Sequence, residues 1–129
     1  MELEKLLFTK EHEWVRLEGD SATVGITDYA QHELGDVVYV ELPAPGKELK
    51  KGDPAANIES VKAVSDVFAP LAGTVGAANP KLAANPELVN QEPYGDGFLF
   101  TMKITQADEV KELLDHKKYE EYLRGITGE

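Results

Sequence analysis

The sequence predicts a mainly β fold with a helical C-terminal tail, and three observations carry that prediction. Short β-branched and aromatic runs recur between Trp14 and Ile104, parted by Gly, Pro, Asn and Asp. The stretch FLFTMKI alternates with period two, so Phe98, Phe100, Met102 and Ile104 share one face while Thr101 and Lys103 point the other way. After Thr105 the apolar spacing changes to three and four residues, through Val110, Leu113 and Leu114 and then Tyr119, Tyr122 and Leu123.

Taken in order, Trp14–Leu17 and Ala22–Ile26 read as two strands around a hairpin turn at Gly19-Asp20. TDYAQHELG then breaks the β pattern. Thr27 or Asp28 can cap a short helix there, with Gln31 as reciprocal partner of Asp28 and Gly35 as the left-handed stop. DVVYVELP predicts a largely buried strand, closed by Pro43 and Pro45. PGKELKKGDP is polar and turn-rich, so a loop is expected. NPKLAANPELVN repeats Asn-Pro, a cap followed by the residue best tolerated at the first helical position, and predicts two short helical turns or an ordered loop. PYGDG is a turn. In the tail, Thr105 is the expected cap of the first helical segment and Gly125 the expected end of the second.

A faint internal echo links DVVYVELPAPG from Asp36 with DVFAPLAG from Asp66, as two related sheets facing each other would produce. The dipeptide Gly-Asp also introduces a β segment twice, at Gly52-Asp53 and Gly95-Asp96.

The chain has 129 residues, enough for a single domain with its own core. Its net charge is −11, with 24 acidic against 13 basic residues. Such a surface repels phosphate backbones and anionic lipid, which argues against nucleic-acid and membrane partners; it suits transient docking on basic surfaces, and solubility alone explains it equally. No apolar run approaches the roughly 20 residues of a membrane span. The start MELEKLLFTKEHEW is acidic and interrupted by charges, unlike a secretory or transit peptide, so a cytoplasmic location is expected. With no cysteine, the chain has no thiol nucleophile and no Cys-based metal site. Any dithiol chemistry must come from a prosthetic group.

The candidate functional residue is Lys62, alone among small and β-branched residues in NIESVKAVSDVFAP. Spacing leaves its setting open. In one continuous strand Val61, Ala63, Val67 and Ala69 face inward, and Lys62 is an ordinary solvated side chain. In the other reading Ser60–Ala63 forms a tight turn of type I, because nothing there favours positive φ. Catalysis by the amine itself fits poorly, since the nearby Glu59 and Asp66 favour its protonated form. An amine acylated by another enzyme needs only exposure at a projecting tip. His12, His32 and His116 lie in three segments without metal-ligand spacing, and Ser60 and Ser65 sit in no nucleophile elbow. No independent active site is visible, and His12 is expected to contribute packing and hydrogen bonds.

VGITDYAQHELGDVVYVELPAPG, ESVKAVSDVFAPLAG and NPELVNQEPYGDGFL resemble the glycine cleavage H-protein family, in that family's order and spacing, from about residue 13 to 104. The resemblance implies a lipoyl/biotinyl-carrier-like flattened barrel or sandwich of two small antiparallel sheets, forming a single domain over 1–129. Its core would span about 13–104, with a helical segment near 106–124. It implies that Lys62 lies at a hairpin tip and carries lipoate in an amide bond. By analogy with related lipoyl domains, Glu59 and Gly73 would serve recognition by the lipoate-attaching enzyme.

The resemblance further implies a non-enzymatic carrier, monomeric in isolation. It would take an aminomethyl group from glycine decarboxylase, a pyridoxal-phosphate enzyme, to the tetrahydrofolate-dependent aminomethyltransferase. Dihydrolipoamide dehydrogenase would reoxidise it by thiol–disulfide exchange. A groove that shields the loaded arm from water is expected, its residues not derivable from sequence. Phe98 stands where tryptophan is common in the family, Asn57 where an apolar residue is commoner, and GTVGAAN is unusually small. The competing readings are a lipoyl donor or relay protein, a biotinyl carrier, against which SVKA lacks the flanking methionines, and a binding module with unmodified Lys62.

Overall fold

A computed structural model describes residues 3–127. Among the described residues, nine strands form two antiparallel sheets. The larger contains β1 (Leu7–Phe8), β2 (Glu13–Glu18), β3 (Ser21–Ile26), β5 (Glu48–Leu49), β8 (Gly73–Ala78) and β9 (Phe100–Ile104), in the order β1-β2-β3-β9-β8-β5. The smaller contains β4 (Val37–Glu41), β6 (Pro54–Ser60) and β7 (Val64–Phe68), in the order β4-β6-β7. The sheets face each other as a sandwich. Val15, Val24, Phe100 and Met102 of the larger sheet pack in one buried cluster with Ile58 and Val67 of the smaller. The expected mainly β architecture of two small antiparallel sheets is therefore present, as a sandwich and not a closed barrel.

Four helices decorate it: α1 (Asp28–Leu34), α2 (Lys81–Ala84), α3 (Leu88–Gln91) and α4 (His116–Thr127). The β2–β3 hairpin turns at Gly19, whose φ of 64° is left-handed. Thr27 caps α1 by accepting the Ala30 N–H at 3.2 Å, while Gln31 donates to the Asp28 carboxylate at 2.8 Å. From Phe100 on, the period-two stretch behaves as its spacing requires, with Phe100 and Met102 buried and Lys103 exposed, but Phe98 lies before the strand and packs in a different cluster, while Leu99 is buried with Phe100.

Several expectations are corrected. The DVVYVELP strand is half-exposed, because β4 is a sheet edge whose Val38 and Tyr39 face outward. The polar PGKELKKGDP segment contains the short strand β5, paired on β8 through Glu48–Thr74 and Leu49–Gly73. Thr105 caps nothing. The segment after it, Ala107–Glu112, is a 3-10 helix that starts beyond Gln106, and Asp115 caps α4 by accepting the Lys118 N–H at 2.8 Å. Helix α4 continues through Gly125 to Thr127, since an exposed glycine near a helix end costs too little to stop it. The echo segments also lie apart from expectation. They form β4 and β7, the two edges of one sheet flanking β6, while the two Gly-Asp dipeptides precede strands of different sheets.

A second buried cluster, Leu6, Phe8, Trp14 and Tyr119, fills the space under α4. Strand β1, which no sequence pattern announced, supplies Phe8 to it and pairs with β2.

Candidate functional site

The NIESVKAVSDVFAP stretch folds back on itself. Strands β6 and β7 pair through Asn57–Asp66, Ile58–Ser65 and Glu59–Val64, leaving Ser60–Ala63 as the turn. The continuous-strand reading of this stretch is thereby replaced by a hairpin with Lys62 at its tip. Ser60 holds the turn: its N–H donates to the Ala63 carbonyl at 2.8 Å, and its Oγ accepts the N–H groups of Ala63 at 3.1 Å and Lys62 at 3.3 Å. None of the four residues has positive φ, so the turn is not of the primed type. The Val61 N–H donates to the Asp36 carbonyl at 3.0 Å and ties the tip to the start of β4.

Lys62 is exposed, and its aliphatic stem lies over Gly35 at the end of α1. A Cβ added to Gly35 would stand 3.4 Å from Lys62 Cε. Gly35 also adopts φ 80°, so no other residue type would sit there without strain. Among the described residues no ion pair engages Lys62. The sequence-predicted residues are not gathered into one cluster. Glu59 is exposed on β6 beside the turn, whereas Gly73 is buried in the larger sheet. A Cβ at Gly73 would collide with the Lys103 carbonyl oxygen, so this glycine permits the close approach of β8 and β9.

Below the turn, between α1 and β7, lies a cavity of about 200 Å³. Its floor is apolar, from Ile26, Leu34, Ile58 and Val67, and four carboxyl groups border it: Glu11, Glu13, Glu33 and Asp66. Ser65, on its wall, is three residues beyond Lys62, at most about 10 Å even for a fully extended chain. Glu13 is buried. Its Oε1 accepts the Thr9 hydroxyl at 2.8 Å and its Oε2 the Phe68 N–H at 3.0 Å. Burial pushes its pKa up to about 7; the two hydrogen bonds oppose that shift and the Glu11 charge adds to it. His12, also on the wall, has its pKa lowered by burial against the opposing pull of Glu11 and Glu33. A second hollow of about 220 Å³ shares Glu11 and Glu13 but opens toward Lys51, Pro70 and Glu112, away from the turn.

The cavity residues escaped the sequence reading. Glu11, Glu13, Glu33 and Asp66 come from three segments of an acid-rich chain, and only the fold brings them together. The unusual residues have local accounts: Asn57 Nδ2 donates to Asp66 Oδ1 at 3.0 Å, and Phe98 packs against the Trp14 cluster. His12 contributes packing and hydrogen bonds as expected, with its Nδ1 2.9 Å from the Tyr119 hydroxyl. His116 lies 3.7 Å from Glu120 on α4, and His32 is exposed on α1.

The family model described as Glycine cleavage H-protein matches residues 6–126. The chain belongs to the glycine cleavage H-protein family. It is 54% identical over 115 residues to the glycine cleavage system H protein of Thermotoga maritima, covering 89% of this chain and 93% of that one. The corresponding protein of Halothermothrix orenii is 50% identical over 123 residues, covering 95% and 96% of the two chains. The crystal structure of a glycine cleavage system H protein from Mycobacterium marinum superposes with a TM-score of 0.85 at 33% identity, over 98% of each chain.

Proposed function

We propose that this protein is the lipoyl carrier of the glycine cleavage system, with the lipoyl group in amide linkage to Lys62 Nζ. The observation that carries the reading is the exposed lysine at the tip of a serine-held turn. It is presented to a visiting enzyme without any part of the core having to open. When attached, the group supplies a dithiolane that takes up electrons and an aminomethyl cargo, chemistry this cysteine-free chain lacks.

The protein's own residues bind and shield. Acylation removes the Lys62 charge, so the stem can lie along Gly35 without a cation to solvate. The cavity's apolar floor suits a hydrocarbon arm and its carboxyl groups suit a cationic amine, and an arm seated there would be partly withdrawn from water. Glu59, exposed one residue before the turn, is the contact for the lipoate-attaching enzyme. Gly73 supports recognition through the strand packing it permits. Glycine decarboxylase, the aminomethyltransferase and dihydrolipoamide dehydrogenase are the partners, met in the cytoplasm by a carrier that performs no catalysis alone.

Intact-mass measurement on protein from a lipoate-competent host tests this. A lipoyl-sized addition is expected on the wild type and none on Lys62→Arg, which should also fail to support reconstituted glycine decarboxylation. A mutant with full activity would overturn the proposal, and a biotin-sized addition would favour the biotinyl alternative.

A further inference from the structure

Tyr119 projects from α4 to the junction between the two walls of the acidic cavity. Its hydroxyl lies 2.9 Å from His12 Nδ1 and 2.8 Å from Thr27 Oγ1, and its ring stacks on Phe8 at 4.7 Å. Each partner governs a different wall. His12 lines the cavity from the segment before β2. Its φ of 70° is costly for a residue with a side chain, and is kept only where surroundings enforce it. Thr27 caps α1, and α1 supplies Tyr29, Glu33 and Leu34 to the opposite wall and ends at Gly35 beneath the lysine stem. The two backbones also touch, through the Thr27 N–H and the His12 carbonyl at 2.9 Å. Their side chains meet through the Tyr119 hydroxyl. Thr27 and Tyr119 are buried, so the bond between their hydroxyls is shielded from water, while the bond to the half-buried His12 is only partly so.

We infer that Tyr119 is a positioning residue for the carrier's arm, holding the two cavity walls, from the C-terminal helix, at the separation that shields the arm. This rests on the reading of the cavity as the arm's shelter.

Tyr119→Phe keeps the stacked ring and deletes only the bridge. Two readouts are informative: hydrogen exchange of the Ala30 and Gln31 amides in the unmodified protein, and hydrolysis of the loaded arm, followed as released formaldehyde and freed thiol. Both are expected to accelerate roughly five- to tenfold, the factor for losing about one hydrogen bond, while lipoylation of Lys62 proceeds at the wild-type rate. Leu49→Ala, which removes core volume at the far edge of the larger sheet, should lower the melting temperature yet leave both readouts unchanged. Wild-type exchange and arm lifetime in Tyr119→Phe would overturn the inference, as would the same acceleration in Leu49→Ala. Should Tyr119→Phe fail to fold, His12→Asn, which tolerates positive φ and leaves the Thr27 cap intact, removes the other partner of the bridge, and exchange of the Ala30 and Gln31 amides decides between the same outcomes. A wild-type arm no longer lived than the same adduct on free lipoamide would instead bring down the cavity reading, and the inference with it.

Discussion

The Lys62 turn and the Thr27 junction use the same device to different ends. In each, one hydroxyl on a short side chain holds the backbone next to it: Ser60 Oγ accepts two turn N–H groups, and Thr27 Oγ1 accepts the Ala30 N–H in the first turn of α1. Ser60 keeps Val61, Lys62 and Ala63 exposed, and its bonds are all local. Thr27 is fully buried and its hydroxyl is engaged by Tyr119, 92 residues away. The tip can therefore be handled by another protein without loosening the core. The junction cannot be altered without moving α1, the cavity wall and α4 together.

The strongest way to break this contrast is to ask whether function and stability separate as cleanly as the geometry does. Lys62→Arg should abolish lipoylation entirely while leaving the melting temperature within experimental error of wild type. A large loss of stability would show that the tip is not independent of the core. The opposite is expected at Trp14, which is fully buried and donates its indole N–H to the Pro93 carbonyl at 2.9 Å. Trp14→Ala should cost about 3–5 kcal/mol in denaturant unfolding, and any remaining folded protein should still be lipoylated.

A third measurement sharpens the comparison through pH. Glu13 has a folded pKa of about 7, above its ordinary value of 4.5. Its burial in neutral form therefore favours the folded state most below that ordinary value, and the benefit is lost as pH rises through about 7. Unfolding free energy should fall by on the order of 3 kcal/mol across that window, and Glu13→Gln should flatten the slope. An unchanged slope in Glu13→Gln would assign the pH dependence elsewhere. The smallest effect belongs to the tip. Ser60→Ala leaves two N–H groups to water in an exposed turn, so about 1 kcal/mol or less is expected, together with slower lipoylation as the turn loses definition.

Much of the fold was legible in the chain. The hairpin at Gly19-Asp20 and the Thr27 cap are local patterns with local causes and formed where they were read, and the alternation read from Phe98 holds from Phe100 to Ile104. The misreadings were places where a distant partner decides. Val38 and Tyr39 carry the composition of a buried strand but lie on an edge. Glu48–Leu49 becomes a strand only because β8 offers it unpaired backbone groups. Gly125 stays helical because one exposed glycine costs too little to end α4.

What the sequence alone determined is the family, the strand-rich class and the single lysine to examine, because residue types and short spacings carry that information. Whether Lys62 sits in a strand or at a tip was left to the pairing of β6 with β7, since hydrogen bonds between segments choose among conformations that no local pattern excludes. The acidic cavity and its Tyr119 bridge belong wholly to the tertiary structure. Their residues come from segments far apart in the chain, and burial and charge proximity arise only when those segments are packed together.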